Sequence, residues 1–112
     1  KYPDEVIKNN GFREHRWLGS HLRTYRRELF LKINEEDFKR EDGKWLDTAG
    51  DLAFMFPMYE MAGLLHYRFL KEINYVYNES NPLNDHKVHM EKVNRLVKEI
   101  RSKKPYKMLW LR

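Results

Sequence analysis

Nearly every position from Leu52 to Met61 is apolar, and a run with no polar face predicts a helix buried on all sides. Asp47 or Thr48 is its expected N-cap, and Thr48 with Asp51 has the spacing of a capping box in an aspartate variant. Pro57 lacks an amide donor and predicts a kink, while Gly63 is the expected C-cap. Two carboxylates, Asp51 and Glu60, interrupt this apolar stretch, although acids avoid burial unless they are paired. They stand nine positions apart, which at about 100° per residue puts them on opposite helix faces and argues against a catalytic pair. For Glu60 the structural expectation is a carboxylate hydrogen-bonded to an arginine or to backbone groups.

The other segments have weaker rhythms. Tyr2 to Gly11, with Pro3, acids at Asp4 and Glu5 and a closing Asn10-Gly11, reads as a short helix. Leu29, Phe30 and Ile33 recur at helical spacing, which predicts a helix beginning near Thr24 or Tyr25; Asn34 to Gly43 follows as a charged loop with one helical turn. Residues 64–70 and 73–78 are aromatic and β-branched, alternating in the second case, and are expected to be strands joined by Lys71-Glu72. Asn78 to Asp85 is a turn in which Asn84 or Asp85 caps the next helix. That helix carries the apolar stripe Met90, Val93, Leu96, Val97 and Ile100, stops at Ser102 to Pro105, and leaves a tail with Leu109, Trp110 and Leu111 for a last apolar contact.

Composition narrows the class. A chain of 112 residues with 41% hydrophobic and 14% aromatic content is expected to form a single unit over residues 1–112. No cysteine is present, which excludes disulfides and thiolate metal sites. No apolar run of about 18 residues suggests a membrane span, and no signal-peptide pattern opens the chain, so a cytoplasmic location is expected. The chain begins at Lys1 without an initiator methionine, which suggests a piece of something longer.

The net charge of +5 changes the picture mainly through its placement. Arg13, Arg16, Arg23, Arg26 and Arg27, with His15 and His21, are opposed between Phe12 and Arg27 by Glu14 alone. Arginine forks bind phosphate oxygens in bidentate fashion, so this basic centre suits a diphosphate or a nucleic-acid backbone, or a solvated face paired with nearby acids. The acids of residues 34–43 lack the ligand spacing of an EF-hand loop. His86 and His89 can share a metal on one helical face, but a third ligand is not in view. Glycine-rich phosphate loops, a nucleophile elbow and HExxH are absent. A small basic helical module for nucleic acid or an acidic protein is the alternative function, with Trp17 and Tyr25 able to stack on bases; no helix-turn-helix, RRM or KH signature supports it.

Read in order, several short signatures do resemble one family. They are Phe12-Arg13-Glu14-His15 with Trp17, Ser20-His21-Leu22-Arg23-Thr24-Tyr25-Arg26, Asp42-Gly43, and Gly50-Asp51 with Phe56-Pro57-Met58 and Glu60-Met61-Ala62-Gly63. Val76-Tyr77-Asn78 and Asn81-Pro82-Leu83-Asn84-Asp85 complete the series, which is similar to the C-terminal, acceptor-side half of a family 2 glycosyltransferase of the GT-A type. The resemblance implies an α/β fold, here a helix-rich α+β fragment of about four helices and a few short strands. It implies transfer of a sugar from a nucleotide-sugar donor to a hydroxyl acceptor, with no nucleic-acid partner. The nucleotide-binding half, its Asp-x-Asp motif and most ligands of a divalent Mg or Mn ion would lie outside this chain, where Asp-x-Asp is not found, and the fragment alone would be inactive. Asp51 matches the acid that serves as general base, although Gly50 stands where a partner acid is more common. His21, Arg23 and Arg26 are implied as phosphate contacts, and Tyr77 and Asn78 as sugar or acceptor contacts, with Glu60 a further substrate-side candidate. An exposed apolar surface, coverable by self-association into a homo-oligomer, is expected where the other half would pack.

Overall fold

The computed structural model describes residues 1–109, apart from the side chains of Asp85 and His86. Among them the helices are α1 (Asp4–Lys8), α2 (Arg27–Phe30), α3 (Gly50–His66), α4 (Asp85–Val88) and α5 (Met90–Ser102), with a 3-10 turn over Glu35–Phe38. α3 is the centre: α1, α2, the 3-10 turn and α5 all pack on it. Its all-round apolar sequence has a direct cause, since it feeds two cores at once. Leu52, Ala53 and Phe56 join Tyr2, Ile7, Phe12 and Ile100 on one side. Met55, Met58, Met61 and Ala62 join Leu29 and Ile33 on the other.

The helix boundaries follow local chemistry. Ala49, in the left-handed region at φ 56°, is the N-cap of α3, one residue later than Thr48 and two later than Asp47. Within α3 the residue with non-helical angles is Gly63, at φ 62° and ψ −169°, so the break expected at Pro57 lies there instead. The carbonyl of Met61, exposed by this break, accepts from the amide of Leu109 at 2.8 Å, and Met108 packs so closely on Gly63 that a β-carbon there would overlap it. The tail therefore makes its expected contact through Leu109; Trp110 and Leu111 lie outside the described residues. α2 is shorter than its periodicity suggests, because Arg26 is extended. The last helix is split at His89, and Leu96 and Ile100 form its buried stripe while Met90 stays exposed.

The strands expected over 64–70 and 73–78 are absent. Residues 64–66 are the last turn of α3, and 67–78 have no regular structure and are exposed apart from Tyr67, which packs on the core. The pairing found among the described residues is an isolated antiparallel bridge between Lys39 and Trp45. β-branched and aromatic content reports a fit to a pleated surface, and a strand forms only where a neighbour supplies the ladder. Here no neighbour does. Ile73 is 93% and Val76 89% exposed, with Leu65, Phe69 and Leu70 exposed on the same stretch. The fold is thus helix-containing with almost no strand, where an α/β arrangement with a few short strands was expected. No helix is long and apolar enough to cross a membrane among the described residues.

A charged pair ties the elements together inside this core. Arg13 donates to both oxygens of Glu60, Nε to Oε1 at 2.6 Å and Nη2 to Oε2 at 3.0 Å. Its third nitrogen donates to the carbonyls of Ile100 and Lys103 at the end of α5, at 2.9 and 3.3 Å. The amide of Tyr106 donates to Glu60 Oε2 at 2.8 Å, and Arg101 returns two bonds to the carbonyls of Arg13 and His15. The ring of Phe56 lies between the two guanidinium groups, 5.7 Å from Arg13 and 5.2 Å from Arg101. Glu60 is thus the paired structural acid of the sequence expectation. Removing one partner strands the other charge in a dry interior, so Glu60→Ala is expected to destabilise the protein by about 3–5 kcal/mol. Urea unfolding measures this, and a loss below about 1 kcal/mol would mean that water reaches Arg13 and replaces the carboxylate.

Tyrosines form the second signature of this core. Tyr2, Tyr59 and Tyr67 pack edge-on, with centroids 5.6, 5.5 and 6.4 Å apart. Burial raises all three phenols above their ordinary value, and Tyr106 is pushed up to about 12 by burial and by its hydrogen bond to Asp37. The folded phenols therefore stay neutral while unfolded ones ionise from 10.0 upward, so stability is unaffected below that pH and falls as pH rises toward 12. Phenolate absorbance recorded with far-ultraviolet dichroism tests this: late ionisation should accompany loss of helix. Ionisation of every tyrosine at 10.0 with the helices intact is the contrary result.

Candidate functional site

The second carboxylate of α3 has a different setting. Asp51 sits in the first turn, where its Oδ1 accepts from the amide of Leu52 at 3.0 Å and its Oδ2 from Arg23 Nη2 at 3.1 Å. Arg23 is held in turn by the carbonyl of Gly19 at 2.7 Å and lies over the ring of Trp17 at 5.7 Å. Gly19 is required by close approach, since a β-carbon there would stand 2.6 Å from the Trp17 ring and 2.7 Å from the Tyr59 hydroxyl. The side chain of Asp51 remains 37% exposed, against 0% for Glu60, so only Asp51 can meet a ligand.

Asp51 opens into a cleft of about 320 Å³, lined by Thr48 and Leu52 at the start of α3, by Val93 and Val97 of α5, and by Tyr77 and Asn84 of the connecting segment. α5 is drawn against the loop before α3 by the ion pair of Lys92 with Asp47, a contact that also holds the Asp47 carboxyl below its ordinary pKa. His21 stacks on Tyr77 with planes 9° apart and centroids at 5.8 Å, and meets Tyr75 at 4.9 Å. Two sequence candidates, Asp51 and Tyr77, line the cleft, and two more connect to it through them, Arg23 paired with Asp51 and His21 stacked on Tyr77.

The remaining candidates stand apart. Arg26 is exposed at the N-cap of α2, and Glu60 is enclosed in the core. Asn78 caps its own turn, its Oδ1 accepting from the amide and hydroxyl of Ser80, while its carbonyl accepts from Asn84 Nδ2 at 3.2 Å. It is thus one hydrogen bond removed from the cleft. Tyr75 and Asn84 were missed as site residues because their roles arise from chain packing; the alternation of residues 73–78 was the available signal. The basic centre divides, with Arg13 internal, Arg23 on Asp51, and Arg16, Arg26 and Arg27 exposed. Among the described residues no three metal-ligating side chains converge, and the side chain of His86 lies outside them.

Compared with protein-family models, curated proteins and solved structures, the chain gives no match. The cleft is therefore read from its own chemistry.

The two acids of α3 are separable by experiment. Because the Arg23–Asp51 pair is partly exposed, Asp51→Asn is expected to change stability by no more than about 1 kcal/mol. Thermal unfolding checks this, and a loss as large as that from Glu60→Ala would assign Asp51 to the core.

Proposed function

We propose that this chain is the acceptor-side part of a GT-A type glycosyltransferase, with Asp51 as general base for transfer of a sugar from a nucleotide-sugar donor to an acceptor hydroxyl. The observation that carries the reading is a half-exposed carboxylate at the mouth of a rigid buried helix, oriented by one arginine and open to a cleft with aromatic and amide walls. The ordered signatures from Phe12 to Asp85 add the resemblance.

In this reading Asp51 takes the proton of the acceptor hydroxyl as that oxygen bonds to the anomeric carbon, and the bond from that carbon to the nucleoside diphosphate breaks with its electron pair leaving on the phosphate oxygen. Arg23 fixes the carboxylate and supplies positive charge beside it. Tyr77 and His21 form the acceptor side, with Asn78 behind them through Asn84. The resemblance implies that the divalent ion that would stabilise the leaving diphosphate is held by the nucleotide-binding half outside this chain.

A general base contributes roughly 10²–10⁴ in rate, so Asp51→Asn in the whole enzyme is expected to lower turnover at least about a hundredfold. Sugar transfer measured by release of nucleoside diphosphate reads this directly. A loss smaller than about tenfold, with folding intact, would remove Asp51 from the chemistry.

A further inference from the structure

Resting on the acceptor-side reading of this cleft, we propose that the acceptor is a saccharide that lays one ring face on Tyr77, with His21 and Tyr75 as positioning residues that hold that platform. Two distant parts of the chain meet here, His21 stacked on Tyr77 and tilted 40° against Tyr75, and the two tyrosines keep almost half of their surface open, 47% for Tyr75 and 49% for Tyr77. An aromatic pile is usually a core feature, but this one stands in solvent at the edge of a cleft. Its free face is flat, apolar and polarisable, with an edge hydroxyl, which suits the C–H face of a pyranose.

The other walls fit the same ligand. Asp51 offers a carboxylate and Asn84 an amide, groups that accept from and donate to ring hydroxyls. Val93 and Val97 give a short apolar floor. A volume of about 320 Å³ lies near the lower end of the roughly 300–1,000 Å³ typical of ligand pockets, enough for one ring and its substituents. A long lipid acceptor would find better complementarity in a separate apolar trough of about 550 Å³ lined by Phe30, Phe38, Trp45 and Phe54. The Asp51 cleft is smaller and carries a carboxylate in its wall, which a lipid chain does not match. Hydroxyl recognition and ring stacking thus converge on a saccharide, and they place the reacting hydroxyl beside the carboxylate that would take its proton.

Saturation-transfer NMR on the full chain tests this, with methyl glycosides of glucose, galactose, mannose and N-acetylglucosamine as probes and geranyl phosphate and uridine monophosphate as competitors. At least one glycoside should receive saturation on its ring protons and shift the ring signals of Tyr77 and Tyr75. Tyr77→Ala should weaken that binding about fivefold or more, and Tyr77→Phe should keep it within about twofold. His21→Ala should weaken binding and His21→Phe should restore it, a rescue that a merely structural loss would not give. The proposal is overturned if no glycoside binds, if Tyr77→Ala binds as the native chain does, or if geranyl phosphate or uridine monophosphate displaces the glycoside from Tyr77. Because Tyr77 is half exposed, its variants should fold, and the saturation map of the native chain decides the matter independently of them. Glycoside binding with normal turnover in Asp51→Asn keeps the saccharide site and removes Asp51 from the chemistry, whereas glycoside binding with no sugar transfer by the native enzyme keeps the site and removes the transferase reading. Lost turnover without glycoside binding removes this inference alone.

Discussion

The pairing of Arg13 with Glu60 is the constraint from which the rest of this structure follows. A carboxylate in the middle of an all-apolar helix is tolerable only if every oxygen is engaged, and here both oxygens are taken by one guanidinium and one of them also by the amide of Tyr106. The same guanidinium reaches the last carbonyls of α5, groups that a helix end leaves without intrahelical donors. One side chain thereby fixes α3, α5, the segment after α1 and the tail in mutual register. Apolar packing alone could slide; a bidentate fork cannot.

That rigidity has a consequence at the other end of α3. Asp51 begins the helix that Glu60 anchors, and α5 forms the opposite wall of its cleft through Val93 and Val97. The two acids divide the labour: one is sealed and structural, the other half-exposed and held by a single arginine. A site carried on a buried helix is held to closer tolerances than one on a loop, which catalysis requires of a base that must meet a particular hydroxyl. The wall with Tyr77 and Asn84 comes from irregular chain, and the contacts of Tyr77 and Tyr75 with His21 tie it down.

How much of this was legible in the residues depended on whether the signal was local. α3 and α5 were readable because an apolar run and an apolar stripe state their burial outright, and the opposite placement of Asp51 and Glu60 followed from helical geometry. The identity of Glu60's partner was not, because Arg13 looked like one of five arginines and the contact spans 47 positions. Residues 64–78 misled for a related reason: their composition fits a strand, but a strand is made by its neighbour, and the described residues offer none. Gly63, expected as the C-cap, is instead the kink inside α3, which runs on to His66 with Tyr67 as its cap, and Pro57 drew the kink to the wrong place, since a positive φ disrupts a helix more sharply than one missing donor. Of the site, Asp51, Arg23, His21 and Tyr77 could be named from sequence; Tyr75 and Asn84 became visible only when the chain had closed around Asp51.

Beyond α3, the side chains of Phe69, Leu70, Ile73 and Val76 leave apolar surface exposed, and Tyr77 follows at the cleft. The central claim concerns where an acceptor hydroxyl goes. It is tested most directly by a structure of the whole enzyme with a nucleoside diphosphate and an acceptor bound. The account predicts the reacting hydroxyl within about 2.6–3.2 Å of an Asp51 oxygen, with Glu60 still closed on Arg13. An acceptor seated away from the start of α3, with Asp51 turned wholly to Arg23, would contradict it.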